Sequence, residues 1–127
     1  MKRVLLVGYD PASVDFSDPA LPPGMTIEKI NAGVQMALEK MTDNGWDAEV
    51  FFIQPDQTAG PALERHLGLK GYDCVVIGAG VRLPPKSLGI FEVLVNTIRK
   101  VSPASAIAFN SRPEDSADAA GRWIPKG

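Results

Sequence analysis

Arg82, Lys86 and Arg112 are the side chains in this sequence with the plainest chemical use. Arg82 and Lys86 follow Gly78-Ala79-Gly80, which closes an apolar run from Cys74 to Ile77. Arg112 stands in Ser111-Arg112-Pro113-Glu114, whose spacing fits a helix-opening capping box. Glycines let a backbone take unusual dihedrals and come close to a ligand. Cations beside them, next to the unpaired N–H groups that begin helices, suit a phosphate or carboxylate. A cation in a first helical turn is mildly unfavourable, so Arg112 should have another reason for its place. The competing use of these cations is an ion pair with Asp10, Asp56 or Glu114.

Other chemistries are carried less well. Asp10, with Asp15, Asp18 or Asp56, has the oxygen ligands that Mg²⁺ takes. Their spacing does not set them apart from solvated loop acids, and no metal site is assigned. Cys74 begins its apolar run, which puts it on a strand body, buried and slow to react. The single histidine, His66, has no cysteine or second histidine nearby and no evident serine partner. It fits neither a zinc site nor a Ser-His-Asp set.

The nucleotide motifs also fail. Gly78-x-Gly80 opens like a dinucleotide fingerprint, but Leu83 holds the third glycine position and two prolines follow where a helix should start. A Walker motif is absent. Gly8-Tyr9-Asp10-Pro11-Ala12 does not resemble the hydroxyl-rich phosphate loop of flavodoxins. Gly78 stands where receiver domains end their third strand with an acid. The cofactor therefore stays unassigned, and no motif names a reaction.

The elements that must position these residues are easier to read. Lys2–Val7, Glu49–Ile53, Cys74–Ile77 and Ser105–Phe109 read as strands. The first and third of these are unbroken apolar runs, the pattern of strands covered on both faces. Thr26 caps a helix whose stripe is Ile27, Ile30, Val34, Ala37, Leu38 and Met41, and Asn44-Gly45 ends it. A shorter helix spans about 58–67. Ser87 opens another over 88–101, and a last one follows Ser111. Strands alternating with helices predict a parallel sheet with right-handed crossovers. The fold class is a three-layer α/β/α sandwich, flavodoxin-like or Rossmann-like, with strand order 2-1-3-4 in a single domain over residues 1–127.

In such a sheet, ligands gather where the carboxyl ends of the strands meet, at the crevice where strand order reverses. That edge should bring together Gly8, Tyr9, Asp10, Gly78, Gly80, Arg82, Lys86, Asn110, Ser111 and Arg112. The connection from Asp10 to Gly24 is long and proline-rich, and is expected to lie over this edge as a mobile lid. The first reading of function is thus a small domain binding an anionic or phosphorylated molecule there.

The helix over 88–101 offers a second reading. Its apolar residues span an arc of roughly 200°, about twice what one core contact needs. The surplus would serve a homodimer, unless the 58–67 helix and the segment around Trp123 cover it. Net charge is −2, with a calculated pI near 5.3 from the 127 residues, which argues against a general nucleic-acid surface. The opening apolar run is too short for a signal peptide or a membrane span. One cysteine is compatible with a reducing cytoplasm.

Overall fold

The apolar runs at Val4–Val7 and Cys74–Ile77 become the two central strands of one parallel sheet. The computed structural model of the chain describes all 127 residues. Strands β1 (Arg3–Tyr9), β2 (Asp47–Ile53), β3 (Cys74–Ile77) and β4 (Ala106–Phe109) run in the order β2-β1-β3-β4. Helices α1 (Ile27–Asp43), α2 (Ala59–Leu67), α3 (Ala79–Arg82), α4 (Leu88–Val101) and α5 (Ser116–Gly121) complete a three-layer sandwich. Short 3-10 turns at Pro11–Ser13, Pro85–Ser87 and Pro113–Asp115 each begin with proline, whose ring presets φ.

Each central strand seals both layers by alternation. Leu5 and Val7 of β1 join Leu63, Leu94 and Ile98 under α2 and α4. Val4 and Leu6 join Ala37, Met41, Trp46 and Ala120 under α1 and α5. The two cores hold 12 buried residues each, so neither face of the sheet is left open to water.

Local signals explain the helix ends. Thr26 accepts a hydrogen bond from Lys29 N at 3.2 Å and so caps α1. Gly45 follows at φ +83°, a conformation that side chains rarely adopt, and turns the chain into Trp46. Trp46 is 2% exposed, and its indole donates to Pro125 O at 2.9 Å, pinning the C-terminal segment to the end of α1.

The wide arc of α4 divides three ways. Leu94 and Ile98 are buried at its centre, and Ile90, Phe91, Val95 and Val101 are half-buried around them. The Val93 side meets α2 so closely that a Cβ on Gly60 would lie 2.6 Å from Val93 Cγ1. Leu88 and Val93 keep 58% and 48% of their surface. Part of the surplus is thus covered within the chain by α2. The segment around Trp123 takes no part, since Ile124 packs under α1 and α5 and Trp123 is exposed.

Cys74 is fully buried in β3, and burial pushes its thiol up to about 12. Native protein should therefore resist thiol reagents at neutral pH, with labelling that follows the rate or population of unfolding. Stoichiometric labelling within seconds would contradict this placement.

Candidate functional site

The sheet's carboxyl edge divides into two halves of different character. The first half lies over β1. Gly8 and Tyr9 were expected beyond the end of the first strand but belong to it, paired with Phe52 and Ile53 of β2. The long edge strand keeps supplying partners, and Asp10 N still bonds to Ile53 O at 2.9 Å. Asp10 is occupied twice: Oδ1 accepts from Ala12 N at 3.0 Å, and Oδ2 from Gln54 Nε2 at 3.2 Å. Tyr9 donates its phenol proton to Ser87 Oγ at 2.8 Å, and burial raises its pKa.

Lys86 closes this half. Its ammonium lies 3.0 Å from Asp15 Oδ2 and 3.3 Å from Asp18 Oδ2, so it straps the 10–24 connection to the start of α4. The connection does reach the carboxyl edge, as the sequence implies. Lys86 thereby leaves the set of cations free for a ligand, through partners other than Asp10, Asp56 or Glu114. Hydrogen bonds from Ser17 and then Lys86 hold Asp15 at about 2. That contribution is complete above about pH 4 and is lost as pH falls towards 2. Lys86→Gln should speed amide exchange across residues 11–24 and leave β1 and β3 unchanged. Raising salt to about 1 M should do part of the same, because the pair is exposed to screening. Unchanged exchange in both cases would mean that the strap does not hold the connection.

The second half lies between β3 and β4. Gly78 does not use its conformational freedom: it is extended at φ −68° and ψ 148°, and the positive-φ glycines are Gly24 and Gly45. Its reason is space, because a Cβ would lie 3.3 Å from Val7 O on β1. Gly80 is exposed, and a Cβ there would meet nothing. The glycine pair therefore opens the short helix α3 instead of an irregular loop. Asn110, 3% exposed, accepts from Ala79 N at 2.7 Å and donates to Ser116 Oγ at 2.9 Å. One buried amide thus joins α3, β4 and α5.

Two arginines bond to backbone carbonyls at the end of β4. Arg82 donates through Nη2 to Asn110 O at 2.9 Å, and its guanidinium carbon lies 5.9 Å from the centre of the Phe109 ring. Its Nε is the one buried side-chain polar atom without a hydrogen-bond partner. Arg122, absent from the sequence-based set, donates to Phe109 O at 2.9 Å. No pattern in the sequence marked it, since only the fold brings the end of α5 beside the end of β4. Arg112 is exposed on extended backbone. None of these arginines makes an ion pair. Ser111, by contrast, is used internally. Its hydroxyl and N–H both go to Asp115, so the helix cap forms one residue later than the expected Ser111–Glu114 box.

A separate polar cluster escaped sequence reading. Tyr72 Oη donates to Glu49 Oε2 at 2.6 Å and lies 3.0 Å from His66 Nε2, while Lys70 pairs with Glu49. The phenol has one proton and Glu49 takes it, so His66 Nε2 must carry hydrogen and donate to Tyr72. His66 also stacks on Phe51, centroids 4.2 Å apart. Burial and then Glu49 push the Tyr72 phenol far up. Burial alone would raise Glu49, but bonds from Lys70 and Tyr72 outweigh it and hold the carboxyl below its usual range. The cluster ties α2 to β2 at the other end of the sheet. Glu49 among Val and Phe residues was its signal.

Two surface clefts lie away from the carboxyl edge's centre. One of about 360 Å³ is lined by Met1, Lys2, Asp73 and the C-terminal residues. The other, about 500 Å³, is lined by Lys40, Asp43, Asp118 and Arg122 among others. No helix is long and apolar enough to cross a membrane. No protein-family model and no curated protein matches this sequence, so the site must be read from its own geometry.

Proposed function

We propose that the mouth between β3 and β4 binds an anionic small molecule, phosphorylated or carboxylate, with Arg82 as its main contact. Arg82 carries this reading. A half-buried guanidinium without a carboxylate partner and with one buried donor unsatisfied is costly to keep for structure alone. Arg122, bonded to Phe109 O, and Arg112, two residues after Asn110, add positive charge near the end of β4, in a chain whose net charge is −2. The acids of the other half are already engaged with Lys86, Gln54 and the backbone.

A thermal-shift screen of inorganic phosphate, nucleotides, sugar phosphates and carboxylates tests the reading. A ligand at 100 times its Kd should stabilise the domain by about 2.7 kcal/mol. Arg82→Gln should fold as well as the parent, and should weaken that ligand roughly 10- to 100-fold by removing a charge-assisted contact. A ligand held equally by the variant would place the site elsewhere. Self-association along α4 is the second reading, favoured by the exposure of Leu88 and Val93. Sedimentation of the parent and of Leu88→Lys decides it: a dimer that becomes a folded monomer supports it, and a monomeric parent ends it.

A further inference from the structure

We infer that the anion held at Arg82 carries an aromatic body, which lies on Phe109, Phe91 and Leu88. This rests on the anion reading above and names the ligand class of that same site. Phe109 ends β4 beneath the Arg82 guanidinium and keeps 37% of its surface. Phe91 meets the Phe109 ring edge-on, centroids 5.6 Å apart. Leu88 stands three residues before Phe91, on the same ridge of α4, and is 58% exposed. Leu83, directly after Arg82, is 52% exposed.

Single exposed apolar residues need no explanation on a protein surface. Phe109 lies beside the one cation with a buried unsatisfied donor, Phe91 packs on Phe109, and Leu88 shares the ridge of Phe91, and that changes their meaning. Small-molecule sites are mostly apolar, with a few polar groups that fix orientation. β4 is the last strand of the sheet, so no further strand screens this side. Charge complementarity selects the occupant: Arg82, Arg112 and Arg122 are free of ion pairs, while apolar side chains form the floor. An aromatic ring joined to a phosphate or carboxylate answers both features, since rings meet edge-to-face or offset and favour a neighbouring cation.

Titration of the full chain with inorganic phosphate and with phenyl phosphate, followed by backbone amide NMR, tests this. Phenyl phosphate should bind about tenfold tighter than inorganic phosphate. Leu88→Ser should reduce that advantage and leave the affinity for inorganic phosphate unchanged, whereas Phe109→Leu should reduce the advantage and also weaken inorganic phosphate somewhat, because its ring supports the Arg82 guanidinium. Leu88→Ser changes an exposed position, so it keeps the test open if Phe109→Leu folds poorly. Arg82→Gln should weaken both ligands. Equal affinities for the two probes would overturn the inference and leave the anion reading standing. So would an aryl advantage that survives both apolar variants. No binding of either probe up to roughly 10 mM would overturn the inference together with the reading beneath it. A parent that dimerises through Leu88 and shows no aryl preference would assign the patch to a second copy, against the inference.

Discussion

Asn110→Ala should destabilise the domain by about 2–4 kcal/mol, far more than the loss of one surface amide. The side chain is 3% exposed and works at both ends. Its oxygen accepts a hydrogen bond from Ala79 N–H, and its nitrogen donates to Ser116 Oγ, which in turn donates to Pro113 O. Alanine leaves the Ala79 N–H without its acceptor and Ser116 without its donor. Each lost buried partner costs about 1–3 kcal/mol, and the hole adds to it. Asn110→Asp separates the two bonds. A carboxylate still accepts from Ala79 but cannot donate to Ser116, and it buries a charge. Burial raises the folded-state pKa of such an acid, so between the two pKa values the folded state binds more protons. That variant should therefore gain stability as pH falls, opposite in sign to the strap at Asp15. Urea titration at neutral and mildly acidic pH reads both effects. A loss below about 0.5 kcal/mol in Asn110→Ala would mean that the bracket is not buried as described. Because Arg82 rests on the backbone carbonyl of Asn110, the alanine variant should also weaken binding of the proposed anion.

Trp46→Ala should be the most damaging of the substitutions considered, at about 3–5 kcal/mol. Trp46 is among the largest fully buried side chains of the α1/α5 core. Trp46→Phe keeps most of the apolar volume and removes the donor to Pro125 O, so it should cost about 1–2 kcal/mol. The difference between the two variants isolates packing from the hydrogen bond. Trp123, 63% exposed, serves as an internal control. Fluorescence of either variant comes from Trp123 alone and should look solvated even in the native state. A native blue-shifted emission in Trp46→Ala would show that Trp123 is the buried indole. Midpoints should shift without a change in denaturant slope.

The layers, strand order and carboxyl edge are all legible in the sequence, because they follow from short-range patterns. Val4–Val7 and Cys74–Ile77 lack polar alternation, which demands cover on both faces and hence a parallel sheet. The site was legible only by neighbourhood. Arg82 and Lys86 look alike as isolated cations after a glycine turn, yet one sits over Phe109 with a donor to spare and the other is held by two aspartates. What separates them is pairing across 71 positions of chain, which no local pattern records. Arg122 was missed for the same reason. Gly78 was assigned to its edge for conformational freedom, whereas the structure gives it a steric task against Val7. A sequence shows that a side chain is absent without showing what the absence makes room for.

The central position of β1 has a consequence for how the chain assembles. Of the four strands it is the first to be synthesised, yet both its edges need later segments. The amide of Arg3 is satisfied by Asp73, 70 residues on, and Asp10 waits for Gln54, 44 residues on. Until β2 and β3 arrive, an apolar ribbon with two unpaired edges stands exposed. Loop-closure entropy is lost before any of these contacts forms, which makes the nucleus non-local and folding slower than for a helical domain of this size. On refolding at high concentration, this ribbon is where chains would join edge to edge.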